Sequence, residues 1–91
     1  MGVELTGRVA IVTGAAQGIG EATARKLAER GAIVVGLDKQ GDLLEKLMAG
    51  IGKGVAMVVD VTDVEADQRV VREIHRRFGR IEILVNVAGG T

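Results

Sequence analysis

The 91-residue sequence predicts an α/β fold in which a parallel sheet is covered by helices. Three observations predict it. Four short, β-branched apolar runs recur along the chain, three stretches with helical spacing separate them, and strand and helix alternate strictly. Nearly continuous apolar runs suit strands buried on both faces, as in a parallel sheet.

The first run is Arg8 to Thr13 (RVAIVT), preceded by a leader. Met1 to Thr6 fits a myristoylation pattern too short to be specific, and is read as that leader. From Ile19 to Arg30, residues Ile19, Ala22, Thr23 and Leu27 fall on one helical face, and Gly31 ends it. Ala32 to Leu37 (AIVVGL) forms the second strand. Leu43, Leu44, Leu47, Met48 and Ile51 then make a second helical stripe, with Gly50 and Gly52 as stops. Val55 to Val59 (VAMVV) is the third strand. Thr62-Asp63-Val64-Glu65 is a capping box that starts a third helix, with Val70, Ile74 and Phe78 on one face. Ile83 to Val85 (ILV) closes a βαβαβαβ order whose crossovers are right-handed.

Composition narrows the function. The hydrophobic fraction is 47% and the single aromatic is Phe78, so Val, Ile, Leu and Ala must build the core. Twelve basic residues balance twelve acidic ones, which argues against a nucleic-acid partner. Without cysteine there is no disulfide framework or thiolate metal site, and a cytoplasmic location is expected. No apolar run approaches the ~20 residues that span a bilayer, and no membrane partner is expected.

The chemistry gathers at the ends of the strands. The first strand runs into Thr13-Gly14-Ala15-Ala16-Gln17-Gly18-Ile19-Gly20, and a helix begins inside that loop. Gly14 lets the chain turn, Gly18 lets backbone approach a pyrophosphate, and Gly20 lets helix and sheet pack closely; amides and the helix dipole then favour the anion. The spacing departs from G-x-G-x-x-G, and no Gly-Lys-Ser/Thr follows to make a Walker loop. From these eight residues alone, a glycine-rich turn without a ligand is the alternative. Asp38, twenty residues beyond Gly18, ends the second strand where a carboxylate can accept from ribose hydroxyls. It would repel a 2′-phosphate, which favours NAD over NADP, while Lys39 partly offsets that repulsion. Asp60 closes the third strand, where it can accept from an adenine amino group while the Val61 backbone meets the ring. Each acid has a plainer alternative as a solvated strand-end residue.

With these residues in view, the chain resembles the short-chain dehydrogenase/reductase family, whose glycine motif has the form T-G-x-x-x-G-x-G. Thr13, Gly14, Gly18 and Gly20 fit it, Asp38 and Asp60 fall at the family's acidic positions, and Asn86-Val87-Ala88-Gly89 answers its N-N-A-G segment. Val87 departs from the second Asn. The resemblance implies a Rossmann-type, truncated doubly wound sheet of strand order 3-2-1-4. It also implies NAD(P)-dependent hydride transfer on an alcohol or ketone, a homo-oligomeric full-length enzyme, and cofactor contacts at Thr13, Gly14, Gln17, Gly18, Ile19, Gly20, Asp38, Asp60, Val61, Asn86, Ala88 and Gly89. The family's Tyr, Lys and Ser triad has no counterpart here, since the chain has no Tyr and no Ser. Residues 1–91 are therefore expected to be the N-terminal portion of one dinucleotide-binding domain, with no catalytic residue and no metal ligand. The truncation would leave the fourth strand with an apolar edge, so the isolated piece is expected to self-associate or fold weakly.

Two other functions stay open. A Rossmann-like methyltransferase also carries acids after its second and third strands, but its loop usually reads G-x-G-x-G after an acid. A non-catalytic nucleotide-binding or assembly module is compatible with the missing triad. His75 sits among Arg72, Arg76 and Arg77, and the arginines from Arg69 to Arg80 alternate with Glu65 and Glu73, which describes a solvated helix face.

Overall fold

A computed structural model describes residues 5–16, 18–52, 54–60 and 63–87. The element order is β1 (Val9–Thr13), α1 (Gly18–Glu29), β2 (Ile33–Asp38), α2 (Gly41–Ile51), β3 (Gly54–Val58), α3 (Val64–Phe78) and β4 (Ile83–Asn86). The four strands form one parallel sheet ordered β3-β2-β1-β4, as the resemblance implies. The topology makes β1 and β2 central, and only these two strands are buried almost throughout. β3 and β4 lie at the two edges and are half-buried, which corrects the expectation of four strands covered on both faces. Leu84 of β4 is 66% exposed, and it stands beside Ile11 in the β1–β4 register.

Alternation along β1 and β2 feeds two cores. Val12 and Val34 point toward Ala24 of α1 and toward Leu44, Leu47 and Met48 of α2. Val9, Ile11, Val35 and Leu37 point the other way, against Ile74 of α3, with Val70 and Phe78 at its margin. Helices α1 and α2 thus share one face and α3 covers the other. That is the outcome of right-handed crossovers that first step outward from β1 to β3 and then return across the sheet to β4.

Two helix ends differ from expectation. Gly50 lies inside α2, and the helix stops at Gly52, where the backbone turns left-handed and its amide reaches the Met48 carbonyl. A glycine in a last turn is tolerated when Leu44, Leu47 and Met48 already anchor that helix. At α3 the N-cap is Asp63, whose Oδ1 accepts from the amides of Glu65 at 3.0 Å and Ala66 at 3.2 Å. Thr62, expected to cap, lies outside the described residues. Asp63→Ala is expected to cost about 1 kcal/mol and lower the melting temperature by roughly 4–8 °C, with Asp63→Asn close to the unsubstituted chain. Thermal denaturation followed by circular dichroism checks it. Among the described residues, no helix is long and apolar enough to cross a membrane.

Candidate functional site

Parallel pairing brings the carboxyl ends of the strands to one edge of the sheet. Thr13 stands between Leu37 and Asn86 in register, and Asp38 opposite Val58. The loop from β1 to α1 therefore rises from the centre of that edge, flanked by the ends of β2 and β4. Such an edge is where ligands bind in open α/β sheets.

The loop owes its shape to its glycines. Gly14 and Gly18 take positive φ angles of 66° and 64°, which side chains disfavour. A Cβ on Gly18 would meet nothing within 4 Å, so open space lies against this backbone. A Cβ on Gly20 would overlap the carbonyl oxygen of Gly14 and lie 2.6 Å from its carbon. The start of α1 is thereby pressed against the loop, and its first-turn amides, which have no intrahelical acceptor, open beside Gly18. Open space beside main-chain donors at a helix start suits an anionic group, and the residues present fit a diphosphate.

Two amides of the loop are not available to a ligand. Ala15 donates to the Leu37 carbonyl at 3.2 Å, and Ala16 donates to Asp38 Oδ2 at 3.0 Å. Asp38 Oδ1 accepts from the Gln40 amide at 3.0 Å, and the residue is only 8% exposed. The sequence does not announce this link, because it joins residues 22 apart and depends on the β1–β2 register. The signal it does offer is the pair of small loop residues at 15 and 16, both buried.

On the other flank, the Thr13 hydroxyl lies 2.8 Å from Asn86 Oδ1 and 3.4 Å from the Val85 carbonyl, and accepts from the Val87 amide at 3.0 Å. It joins the ends of β1 and β4. Because the main chain at 87 makes this bond, the change from Asn to Val there leaves the backbone path intact. Farther back, the strand starts are tied by Glu82, which accepts from the Val9 amide and pairs with Arg8 at 2.8 Å and Arg80 at 3.1 Å.

Asp60 is exposed and lies two residues beyond β3, which ends one residue earlier than expected; its carbonyl accepts from the Asp63 amide at 3.0 Å. The structure thus brings Thr13, Gly14, Gly18, Ile19, Gly20, Asp38 and Asn86 to one edge, with Asp60 in the loop after β3. Gln17, Val61, Ala88 and Gly89 lie outside the described residues.

The basic end of α3 is a different kind of surface. His75 is exposed, and Glu73 binds Arg76 at 2.6 Å and Arg77 at 3.0 Å. The Arg76 hydrogen bond, with the charges of both arginines, holds the Glu73 carboxyl below its ordinary range. Among the described residues, no group of three or more His, Cys, Asp or Glu side chains is placed to hold a metal ion.

Comparison with known proteins agrees with this architecture. The family model described as short chain dehydrogenase matches residues 8–91. The chain is 45% identical over 89 residues to 2,3-dihydro-2,3-dihydroxybenzoate dehydrogenase of Bacillus subtilis (strain 168), covering 93% of this chain and 34% of that protein. It is 42% identical over 84 residues to meso-2,3-butanediol dehydrogenase of Serratia marcescens, covering 90% and 34%. The crystal structure of a metagenomic short-chain oxidoreductase in complex with NADP superimposes with a TM-score of 0.90 at 35% identity, covering 93% of this chain and 40% of that one. The chain spans about a third of the length of these curated relatives. With its glycine loop, its strand order and a match over nearly its whole length, the chain belongs to the short chain dehydrogenase family.

Proposed function

We propose that this chain supplies the dinucleotide-binding part of an NAD(P)-dependent oxidoreductase acting between an alcohol and a carbonyl compound, and that it prefers NAD. The observation that carries this reading is the loop itself: left-handed Gly18 facing open space, Gly20 seated on the Gly14 carbonyl, and a helix opening beside a buried Asp38. The relatives' names, dehydrogenases of diol and dihydrodiol compounds, support the reaction class.

In this reading the amides of Gly18, Ile19 and Gly20 hold the diphosphate, and Gln17 is a further cofactor contact. Asp38 accepts from the adenosine ribose, and Asp60 with Val61 borders the adenine. Asn86, Ala88 and Gly89 line the path from the ribose toward the sheet centre, and Thr13 and Gly14 set the loop's departure. A bound nicotinamide supplies the hydride acceptor or donor. The sequence has no Tyr and no Ser, so in this reading the proton-transfer groups typical of the family belong to a longer protein or another chain, and the 91 residues alone are inactive. Residues 1–91 are then the front of one dinucleotide-binding domain, in a cytoplasmic enzyme that assembles as a homo-oligomer and takes a small alcohol or ketone.

A carboxylate beside the ribose opposes a 2′-phosphate, and exposed Lys39 offsets only part of that repulsion. NADH is therefore expected to bind about tenfold more tightly than NADPH, a difference of ~1.4 kcal/mol. Competitive titration with NADH, NADPH and S-adenosylmethionine, read by nicotinamide fluorescence and calorimetry, tests it. Equal or tighter binding of NADPH would remove the NAD preference. Retention of the methyl donor alone would overturn the oxidoreductase reading.

A further inference from the structure

Position 38 does more in this fold than end a strand beside a sugar. Both carboxylate oxygens of buried Asp38 are engaged by main chain, Oδ2 with the Ala16 amide and Oδ1 with the Gln40 amide, each at 3.0 Å. The preceding residue, Leu37, takes the Ala15 amide through its carbonyl. Two consecutive loop amides are thus held by two consecutive residues of β2, one through backbone and one through a side chain. The backbone bond survives any substitution at 38, whereas the Ala16 amide keeps a partner only if position 38 presents an acceptor. A buried donor left without one is costly.

We propose that Asp38 is a positioning residue for the cradle. By fixing Ala16 it sets the path by which the chain enters α1, and so the direction of the amides from Gly18 onward, independently of any bond to the adenosine ribose. The inference rests on the dinucleotide reading above. It also bears on specificity, because exchanging Asp38 for a neutral residue removes repulsion of a 2′-phosphate and at the same time loosens the loop that holds the diphosphate. NADPH affinity is then not rescued by that exchange alone.

The test pairs two ligands with two variants of the whole chain. The ligands are NADH and an NADH analogue lacking both hydroxyls of the adenosine ribose; the variants are Asp38→Ala and Asp38→Asn. If Asp38 acted only through the sugar, neither variant would change affinity for the analogue. Positioning predicts that Asp38→Ala weakens the analogue about tenfold. Asp38→Asn should fall between, because its one carbonyl oxygen can serve Ala16 or Gln40 but not both. Amide hydrogen exchange by NMR adds a local readout: the Ala16 amide exchanges faster in Asp38→Ala, while Ala15, held by Leu37, keeps its protection. Should Asp38→Ala fail to fold, the isosteric Asp38→Asn carries the same comparison through its analogue affinity and the exchange rates at Ala16 and Gln40. Unchanged analogue affinity with these amides still protected would overturn the positioning role and leave the cofactor reading standing. Failure of the unsubstituted chain to bind either NADH or NADPH would overturn both.

Discussion

A single methyl group at position 20 is expected to disable the cradle. In Gly20→Ala the new Cβ would overlap the Gly14 carbonyl oxygen, lie 2.6 Å from its carbon and 3.2 Å from the Ala15 Cα. All three are backbone atoms, so no rotamer change relieves the clash, and either the start of α1 or the loop must move. Overpacking of this kind costs about 1–3 kcal/mol. If the displacement falls on the loop, affinity for NADH drops by roughly one to two orders of magnitude. Gly18→Ala is the informative companion. Its Cβ meets nothing within 4 Å, so its structural cost is the left-handed backbone alone, about 1 kcal/mol, although the methyl would stand in the space assigned to the ligand. Thermal melting and NADH titration of both variants separate the two effects. A Gly20→Ala protein that melts and binds like the unsubstituted chain would show that helix and loop are not in contact as described.

The largest loss of stability is expected from Leu44→Ala. Leu44 is fully buried, and together with Met48 and Ala15 it crowds the side-chain-free surface of Gly36 at the middle of β2, with approaches of 3.0, 3.2 and 3.3 Å to an ideal Cβ there. Truncation removes its transfer energy and leaves a cavity, at a cost of about 2–5 kcal/mol. A domain of this size has roughly 5–15 kcal/mol in total, so the change takes away a large fraction of it. The melting temperature should fall by roughly 10 °C or more, whereas Leu44→Met stays within about 1.5 kcal/mol. Urea denaturation checks both, and a loss below ~1 kcal/mol for the alanine variant would contradict the packing.

The central strands could be read directly from the sequence because burial on both faces leaves a continuous apolar run, and β1 and β2 begin and end within one residue of expectation. The edge strands looked similar in sequence, yet they are half-buried. Edge position follows from strand order, which no local pattern encodes; here it came from the family resemblance. At the helix ends, the letters T-D-V-E read as a capping box led by Thr62, and Gly50 and Gly52 as two competent stops. Backbone geometry, rather than residue type, shows that Asp63 caps and Gly52 terminates. The glycine spacing at the site was plain for the same reason that the strands were, since each glycine answers a local steric demand. The occupation of the Ala15 and Ala16 amides was hidden because it is set by pairing between distant segments.

The hydroxyl that closes β1 onto β4 has one more consequence. It addresses the peptide nitrogen of residue 87, a group common to every amino acid except proline, and so is blind to the side chain there. Specificity at this junction is therefore lopsided. Threonine or serine can serve on the β1 side and valine cannot, and the same hydroxyl meets the Asn86 side chain at the end of β4, whereas at 87 almost any residue is admissible, which makes substitutions there a matter for the neighbouring surface and not for the seam between the two strands.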